Sequence, residues 1–356
     1  MNEPLKTSYL PGRTLRTTEK ELLYFSGTSY LGIPGNQEFR EFLLEGLARY
    51  GSNYSSSRLS NVHLQIFDEA EAYLANYTGA EAALTVSSGF LAGQLVVRTL
   101  AGKGAFMYGP RTHPALWLNP TNFNNVATEE WLQQLPDIIE NCNEDNLFVL
   151  FNAVDALWAK KFDLDWINKL PLNKQITLII DDSHGFGITG KNGAGVFTEI
   201  LLPENLNLIV VSSIGKALGI PGGVILGKAE TVNSFKQSPL FGGGSPVVPA
   251  YLYAFLQANQ LYEQAREKLF RNINYFLTRL TNPEFFRFFP DYPVFYTPQN
   301  ELCPFLFDKD ILISSFAYPT PQDPNITRII LNSLHTLPDI DLLASNINEF
   351  CRSYTT

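Results

Sequence analysis

The chain has 356 residues, enough for a large core and for more than one domain. At 45% hydrophobic and 17% charged residues it reads as a soluble globular protein, and a net charge of -9 argues against nucleic-acid surfaces and anionic membranes. No apolar run reaches the ~18 residues of a membrane span, Met1 to Gly12 hold no signal-like stretch, and Cys142, Cys303 and Cys351 are too scattered for a disulfide framework or a metal site, so a cytoplasmic setting is expected.

Met1 to Thr18 read as an irregular arm, and Leu22 to Phe25 as a short strand. A helix is expected over Glu38 to Tyr50, where Phe39, Phe42, Leu43 and Leu47 recur at helical spacing. The Ser-rich stretch Gly51 to Asn61 is a loop. The next helix carries Ile66, Ala70, Tyr73, Leu74 and Tyr77 on one face and stops at Gly79. Ala82 to Val86 is a buried strand. Ser87-Ser88-Gly89-Phe90 then turns it into a helix over Leu91 to Leu100, a turn type whose N–H groups and helix dipole suit an anion.

Strands follow at Gly104–Tyr108, Leu147–Phe151, Ile176–Ile180 and Leu206–Val211, with helices at Glu129–Asn141, interrupted at Pro136, and at Asp163–Leu170. Val224 to Leu226 suggests an added antiparallel strand. This alternation predicts an α/β fold, a mostly parallel central sheet with helices on both faces. Beyond Ser245 the pattern changes to one long helical stretch, Ala250 to Leu280. Short strands come next around Val294–Tyr296, Pro304–Phe307, Ile311–Ile313 and Arg328–Leu331, then a last helix over Pro338–Cys351. The expected division is therefore an N-terminal arm and helix (1–50), a large α/β domain (51–245) and a smaller α+β C-terminal domain (246–356).

Two stretches organise the rest: Ile179-Ile180-Asp181-Asp182-Ser183-His184-Gly185-Phe186-Gly187 and Val210-Val211-Ser212-Ser213-Ile214-Gly215-Lys216-Ala217-Leu218-Gly219. Each is an apolar strand ending in a polar, Gly-rich turn. Such turns lie beyond the strand C-termini, where ligands of open α/β sheets bind. A carboxylate, an imidazole and a lysine at one sheet edge suit a pyridoxal phosphate ring: the lysine forms the Schiff base and the carboxylate pairs with the pyridinium nitrogen. A helix-start lysine, a capping aspartate and a structural histidine are the plain readings of the same residues.

These motifs resemble those of the α-oxoamine synthase family of fold-type I pyridoxal phosphate enzymes, Asp-Asp-Ala-His-Gly-x-Gly and Thr/Ser-x-x-Lys-Ala-x-Gly. The resemblance implies a transferase that condenses an amino acid with an acyl thioester such as an acyl-CoA, and an active site at the interface of a homodimer. An aminotransferase, an aldolase-type lyase and a cofactor-binding protein without turnover are the rival readings. By the same resemblance Lys216 is the Schiff-base lysine, Asp181 the partner of the pyridine nitrogen, and His184 the partner of the phenolic oxygen. His113, in Gly109-Pro110-Arg111-Thr112-His113-Pro114, stacks on the ring. Ser88, Gly89, Phe90 and Ser213 cradle the phosphate, joined by Gly243 from the Gly242–Gly244 run, the segment offered across the interface. Arg328, seven residues before His335, takes the substrate carboxylate, and Thr28 lies in the substrate segment. His63 is read as structural, and no metal site is expected. Thr28, Asn152 and Ala156 stand where the family has Asn, Glu or Asp, and Ser, so the departures fall on the substrate side.

Overall fold

The computed structural model describes residues 5–119, 124, 126–171, 173–203, 206–318, 320 and 322–354. Met1 to Pro4 of the expected arm lie outside them. The described chain opens with two short strands, β1 (Thr14–Arg16) and β2 (Glu21–Phe25), so the arm is not wholly irregular. Helices α1 (Gln37–Tyr50) and α2 (Gln65–Thr78) follow, then β3 (Ala82–Val86), α3 (Gly89–Leu100), β4 (Ala105–Tyr108), α4 (Thr128–Glu140) and β5 (Asn146–Asn152). Pro136 sits inside α4 without ending it. A two-stranded ribbon, β6 (Val154–Asp155) with β7 (Lys160–Lys161), precedes β8 (Gln175–Asp181), β9 (Leu206–Ser213) and β10 (Gly223–Gly227). Then come α5 (Ala229–Phe235), α6 (Pro239–Gly243), α7 (Pro249–Gln257), α8 (Asn259–Arg279), β11 (Val294–Thr297), α9 (Leu302–Phe307), β12 (Ile311–Ala317), β13 (Asn325–Ile330) and α10 (Leu337–Tyr354).

The chain divides into two units. One comprises Glu38–Asp155 and Lys161–Asn259, the other Met1–Gln37, Ala156–Lys160 and Gln260–Thr356. Against the expected boundaries at 50/51 and 245/246, the principal breaks fall at 37/38 and 259/260.

The larger unit is built on a six-stranded sheet of order β3-β10-β9-β8-β5-β4. β4, β5, β8 and β9 are parallel, and β10 runs antiparallel between β9 and β3. Leu147, Val149–Phe151, Ile176 and Leu178–Ile180 are buried to a few per cent or less. Such strands read as continuous apolar runs because helices cover both faces of a parallel sheet. On one face α3 supplies Ala92, Leu95, Val96 and Val97 to a core shared with Leu84, Leu150, Ile179, Ile209 and Ile225.

The smaller unit holds a five-stranded mixed sheet, β1-β2-β12-β13-β11. The N-terminal β2 enters it parallel to β12, Leu23 beside Ile311 and Phe25 beside Ile313. Three expected elements differ. Pro304 to Phe307 are helical, not a strand: Leu302 and Leu306 are buried one turn apart, and Pro304 sits in the first helical turn, where no N–H is needed. Asp163–Leu170 form only a short 3-10 segment, Asp165–Lys169. The long stretch 250–280 breaks at Ala258, and Asn259 accepts the Tyr73 hydroxyl (2.6 Å) as α8 begins.

Candidate active site

The four parallel strands end together. Tyr108 of β4 lies beside Leu150 of β5, Asn152 beside Asp181 of β8, and Asp181 beside Val211 of β9. Because β10 is antiparallel to both neighbours, β3 points the same way as β9, and Val86, Gly223 and Ser213 form one row. The turns carrying Ser88–Phe90, His113, His184 and Lys216 therefore open at one edge of the larger unit, where strand C-termini bind ligands in such sheets.

At this edge the backbones approach closely. A Cβ on Gly89 would lie 2.7 Å from the Ser213 Cα, and one on Gly223 would lie 2.3 Å from the Ser88 carbonyl oxygen. Ser88 caps α3 by accepting from the Leu91 N–H (3.0 Å). The N-terminus of a twelve-residue helix is thus set against the end of β9, with no side chain in the way at Gly89. Such an end favours an anion through its N–H groups and its dipole. Ser213 presents a hydroxyl from the facing strand, held by the Gly215 N–H (3.2 Å). Phe90 is 56% exposed, so what it offers inward is backbone.

Asp181 is buried at the end of β8. Its Oδ1 accepts from the Ser183 N–H (2.9 Å), and its Oδ2 lies 3.7 Å from His113 Nδ1. The Ser183 hydroxyl in turn accepts from the Ser213 N–H (2.8 Å), tying the ends of β8 and β9 together. His113 accepts at Nδ1 from the Ala115 N–H (3.2 Å). Burial lowers its pKa; Asp181 opposes the shift and the charge of Lys216 adds to it. Lys216 is half-buried, and burial lowers its pKa too, against the pull of Asp181 and Asp182. A lowered pKa raises the fraction of neutral amine, the nucleophilic form. His184 lies in the turn after β8, three residues beyond Asp181, and is half-buried.

Asp182, the expected cap, does something else. It is fully buried, and its Oδ2 accepts from the N–H of Val196, fourteen residues on (2.7 Å). Burial pushes its pKa up to about 8, helped by Glu199 and Asp181 and opposed by the Val196 bond and Lys161. Gly185 and Gly195 flank the carboxyl, and a Cβ at either would strike one of its oxygens.

These residues fit the pyridoxal phosphate that the motif resemblance implies. An amine, a buried carboxylate and an imidazole converge, and the cradle beside Ser213 is one that a Cβ on Gly89 would fill.

Residues 38–347 match the family model described as Aminotransferase class I and II. The chain belongs to this family. Among curated proteins, the 8-amino-7-oxononanoate synthase of Petrotoga mobilis is 25% identical, over 97% of this chain and 92% of its own length. That of an Azoarcus species is 27% identical, over 93% and 88%. Among solved structures, the serine palmitoyltransferase from S. paucimobilis with bound PLP-myriocin aldimine superposes with a TM-score of 0.84 at 16% identity, over 98% of this chain and 92% of that one. The 8-amino-7-oxononanoate synthase of Francisella tularensis gives 0.75 at 23%, over 94% and 99%. The expected fold type and the resemblance to α-oxoamine synthases both stand. For a class I and II aminotransferase, the strand-end cluster around Lys216 is the natural candidate site.

The remaining expected residues fall as follows. Gly243 ends α6, and a Cβ there would meet nothing within 4 Å; its neighbour Gly242 accepts from the Ser57 hydroxyl (2.7 Å). Arg328 and Thr28 belong to the smaller unit. Arg328 is 6% exposed on the interior strand β13, donates from Nη1 to the Ala156 carbonyl (2.9 Å) and lies 5.5 Å from the centre of the Phe316 ring. Its strand lies between β12 and β11, not at an edge of the sheet. Thr28 is exposed in the bend after β2. His63 is exposed, with Nε2 2.9 Å from Asp68 in the first turn of α2, as suits a structural residue. Two residues not proposed for the site are Ser183, masked by its position between two motif residues, and Asn152, noted only as a departure. Its amide bonds appear only once the turn after β4 is folded back onto β5.

Proposed function

We propose that this chain is a pyridoxal phosphate-dependent transferase that condenses an amino acid with an acyl thioester. The names of its relatives support the reaction class. The observation that carries the reading is the half-buried Lys216, its pKa lowered, in the electrostatic field of buried Asp181 beside His113. When bound, the cofactor supplies an electron sink for negative charge developing at the substrate α-carbon. Lys216 would hold the cofactor through Nζ, and the same amine would be the group placed to move the α-proton. Asp181 holds a proton on the pyridine nitrogen by offering a buried negative charge. His113 covers the ring, and His184 bonds the phenolic oxygen. The Ser88–Phe90 turn, the Ser213 hydroxyl and Gly243 hold the phosphate.

The assignment of Arg328 to the amino acid's carboxylate is part of the same proposal. A planar guanidinium fork suits a carboxylate, and the burial of Arg328 on an interior strand of the smaller unit's sheet supports a role other than surface pairing. The proposal also includes a homodimer with the Gly242–Gly244 run at the interface. Exposed Leu59, whose side chain lies against Gly242, supports an apolar face there. Light scattering that shows a cofactor-loaded monomer would remove that part.

The test is a screen of amino acids, with and without acyl thioesters, following cofactor absorbance and thiol release together. Thiol release that requires both substrates supports the proposal. Keto-acid formation from an amino acid alone makes the chain an aminotransferase, and aldehyde release makes it a lyase of the aldolase type. Absorbance changes without any product leave a binding protein without turnover.

A further inference from the structure

We infer that Asn152 is a positioning residue that sets His113 over the cofactor by gripping both sides of the turn that carries it. The inference rests on the cofactor reading above.

Asn152 is the last residue of β5, half-buried, and pairs in register with Asp181. Its Oδ1 accepts from the His113 N–H (3.1 Å), and its Nδ2 donates to the Arg111 carbonyl (2.9 Å). The two partners fix the orientation of the amide, because an N–H can only donate and a carbonyl can only accept. One side chain thus spans Thr112 and ties down the backbone at the histidine and two residues before it.

The turn needs that restraint. Arg111 has φ 51, left-handed backbone that a side-chain-bearing residue disfavours. Its N–H donates to the Asn124 carbonyl (2.7 Å) and its Nε to Asp155 (2.9 Å). The Thr112 hydroxyl donates to the carbonyls of Gly109 (2.6 Å) and Leu150 (3.2 Å), and the Trp117 indole donates to the Thr112 carbonyl (2.8 Å). These bonds hold Arg111 and Thr112. The bond to the His113 N–H itself comes from Asn152. On the side-chain end the Ala115 N–H holds Nδ1, so the imidazole is fixed at both ends, 3.7 Å from Asp181.

The residue type follows. A carboxylate at 152 could still accept from the His113 N–H but could not donate to the Arg111 carbonyl. It would also set a second negative charge beside Asp181, and two neighbouring carboxylates raise each other's pKa. An amide supplies both bonds and no charge. Asn152, a departure from the motif at the level of sequence, is in this chain matched to the turn.

The test compares wild type with Asn152→Ala, Asn152→Leu, His113→Ala and the double variants that combine each Asn152 substitution with His113→Ala. Pyridoxal phosphate affinity is measured by absorbance titration, and the His113 ring is followed by NMR in cofactor-free protein. Asn152→Ala should weaken cofactor binding about three- to tenfold, the scale of one lost stacking contact, and should shift the His113 ring signals. In the His113→Ala background the same substitution should cost less than about twofold, because the two residues act as one unit. Should Asn152→Ala lose its thermal transition, Asn152→Leu, which keeps the size but can neither accept from the His113 N–H nor donate to the Arg111 carbonyl, carries the same comparison in both His113 backgrounds. An equal loss in both backgrounds, or unmoved His113 signals with unchanged affinity, overturns the inference. Failure of the wild type to bind the cofactor at all would instead overturn the function proposed above.

Discussion

The Asp181 carboxylate lies 3.7 Å from His113 Nδ1, yet that nitrogen is already the acceptor for the Ala115 N–H. An Nδ1 that accepts is deprotonated, so the imidazole is neutral with its proton on Nε2. The lowered pKa agrees: burial dominates, Asp181 only partly offsets it, and Lys216 adds to it. In cofactor-free protein His113 should titrate below the usual histidine value. Lys216→Ala should move its midpoint up, since a neighbouring cation is lost, and Asp181→Asn should move it down. NMR titration reads both, and a midpoint indifferent to both substitutions would refute this electrostatic picture.

Lys216→Ala removes the only nucleophile assigned to the site and should leave the fold intact, because among the described residues the side chain makes no hydrogen bond. The variant should keep its thermal transition, fail to give the visible absorbance of a lysine-linked cofactor, and lose at least 10²- to 10⁴-fold in turnover, about the range for removing a proton-transfer group. Lys216→Arg should fare no better, since a guanidinium does not deprotonate near neutral pH. Borohydride reduction followed by peptide mapping locates the covalent link directly; a label on another lysine would reassign the role.

Why the sequence was more informative at the strand ends than elsewhere follows from physics. Leu147–Phe151 and Ile176–Ile180 are apolar runs because both faces of a parallel sheet are buried, and the first polar residue after each run marks the functional edge. Asn152 and Asp181 are those residues. By contrast, β2 belongs to the smaller unit's sheet through a parallel pairing with β12 nearly the whole chain away. Nothing local in Leu22–Phe25 encodes that partner. The run Pro304–Phe307 carries no periodicity long enough to separate helix from strand, and the packing of Leu302 and Leu306 decides it. Asp182 was hidden for another reason: the donor to its carboxyl is the N–H of Val196, and no side-chain pattern announces a backbone N–H.

Asp182 gives a stability test. Its pKa is raised to about 8 in the folded protein, by burial first, whereas a carboxyl in the unfolded chain ionises near 4. The folded state therefore binds more protons between those values. The stability this group contributes is full below pH ~4 and is lost as pH rises towards 8. Asp182→Asn keeps the shape and an oxygen for the Val196 N–H and does not titrate. The variant should gain on wild type in urea unfolding from pH 5 to pH 8, by on the order of a few kcal/mol, with the difference constant above that. A difference that does not change with pH would mean that Asp182 is ionised in the fold.

His335 provides the opposite sign. It is fully buried, stacks on Phe25 at 4.0 Å, accepts at Nδ1 from the Asn332 N–H (3.1 Å) and meets the Tyr24 carbonyl through Nε2 (3.0 Å). With Nδ1 accepting, Nε2 is the donor to the carbonyl, and the ring is neutral. Burial lowers its pKa to about 4 in the folded protein, whereas an unfolded histidine titrates near 6.5. Between those values the unfolded chain binds the extra proton, so stability rises with pH across that window and is lost as pH falls through it. The full span corresponds to about 3 kcal/mol. His335 sits in the smaller unit, between β13 and α10, so the loss should appear there first. Hydrogen exchange at pH 7 and pH 5 should show the amides of β2, β12 and β13 losing protection before those of β5, β8 and β9. His335→Gln should flatten that pH dependence at the cost of the stacking on Phe25. If wild type and His335→Gln lose protection in parallel as pH falls, another group carries the acid sensitivity.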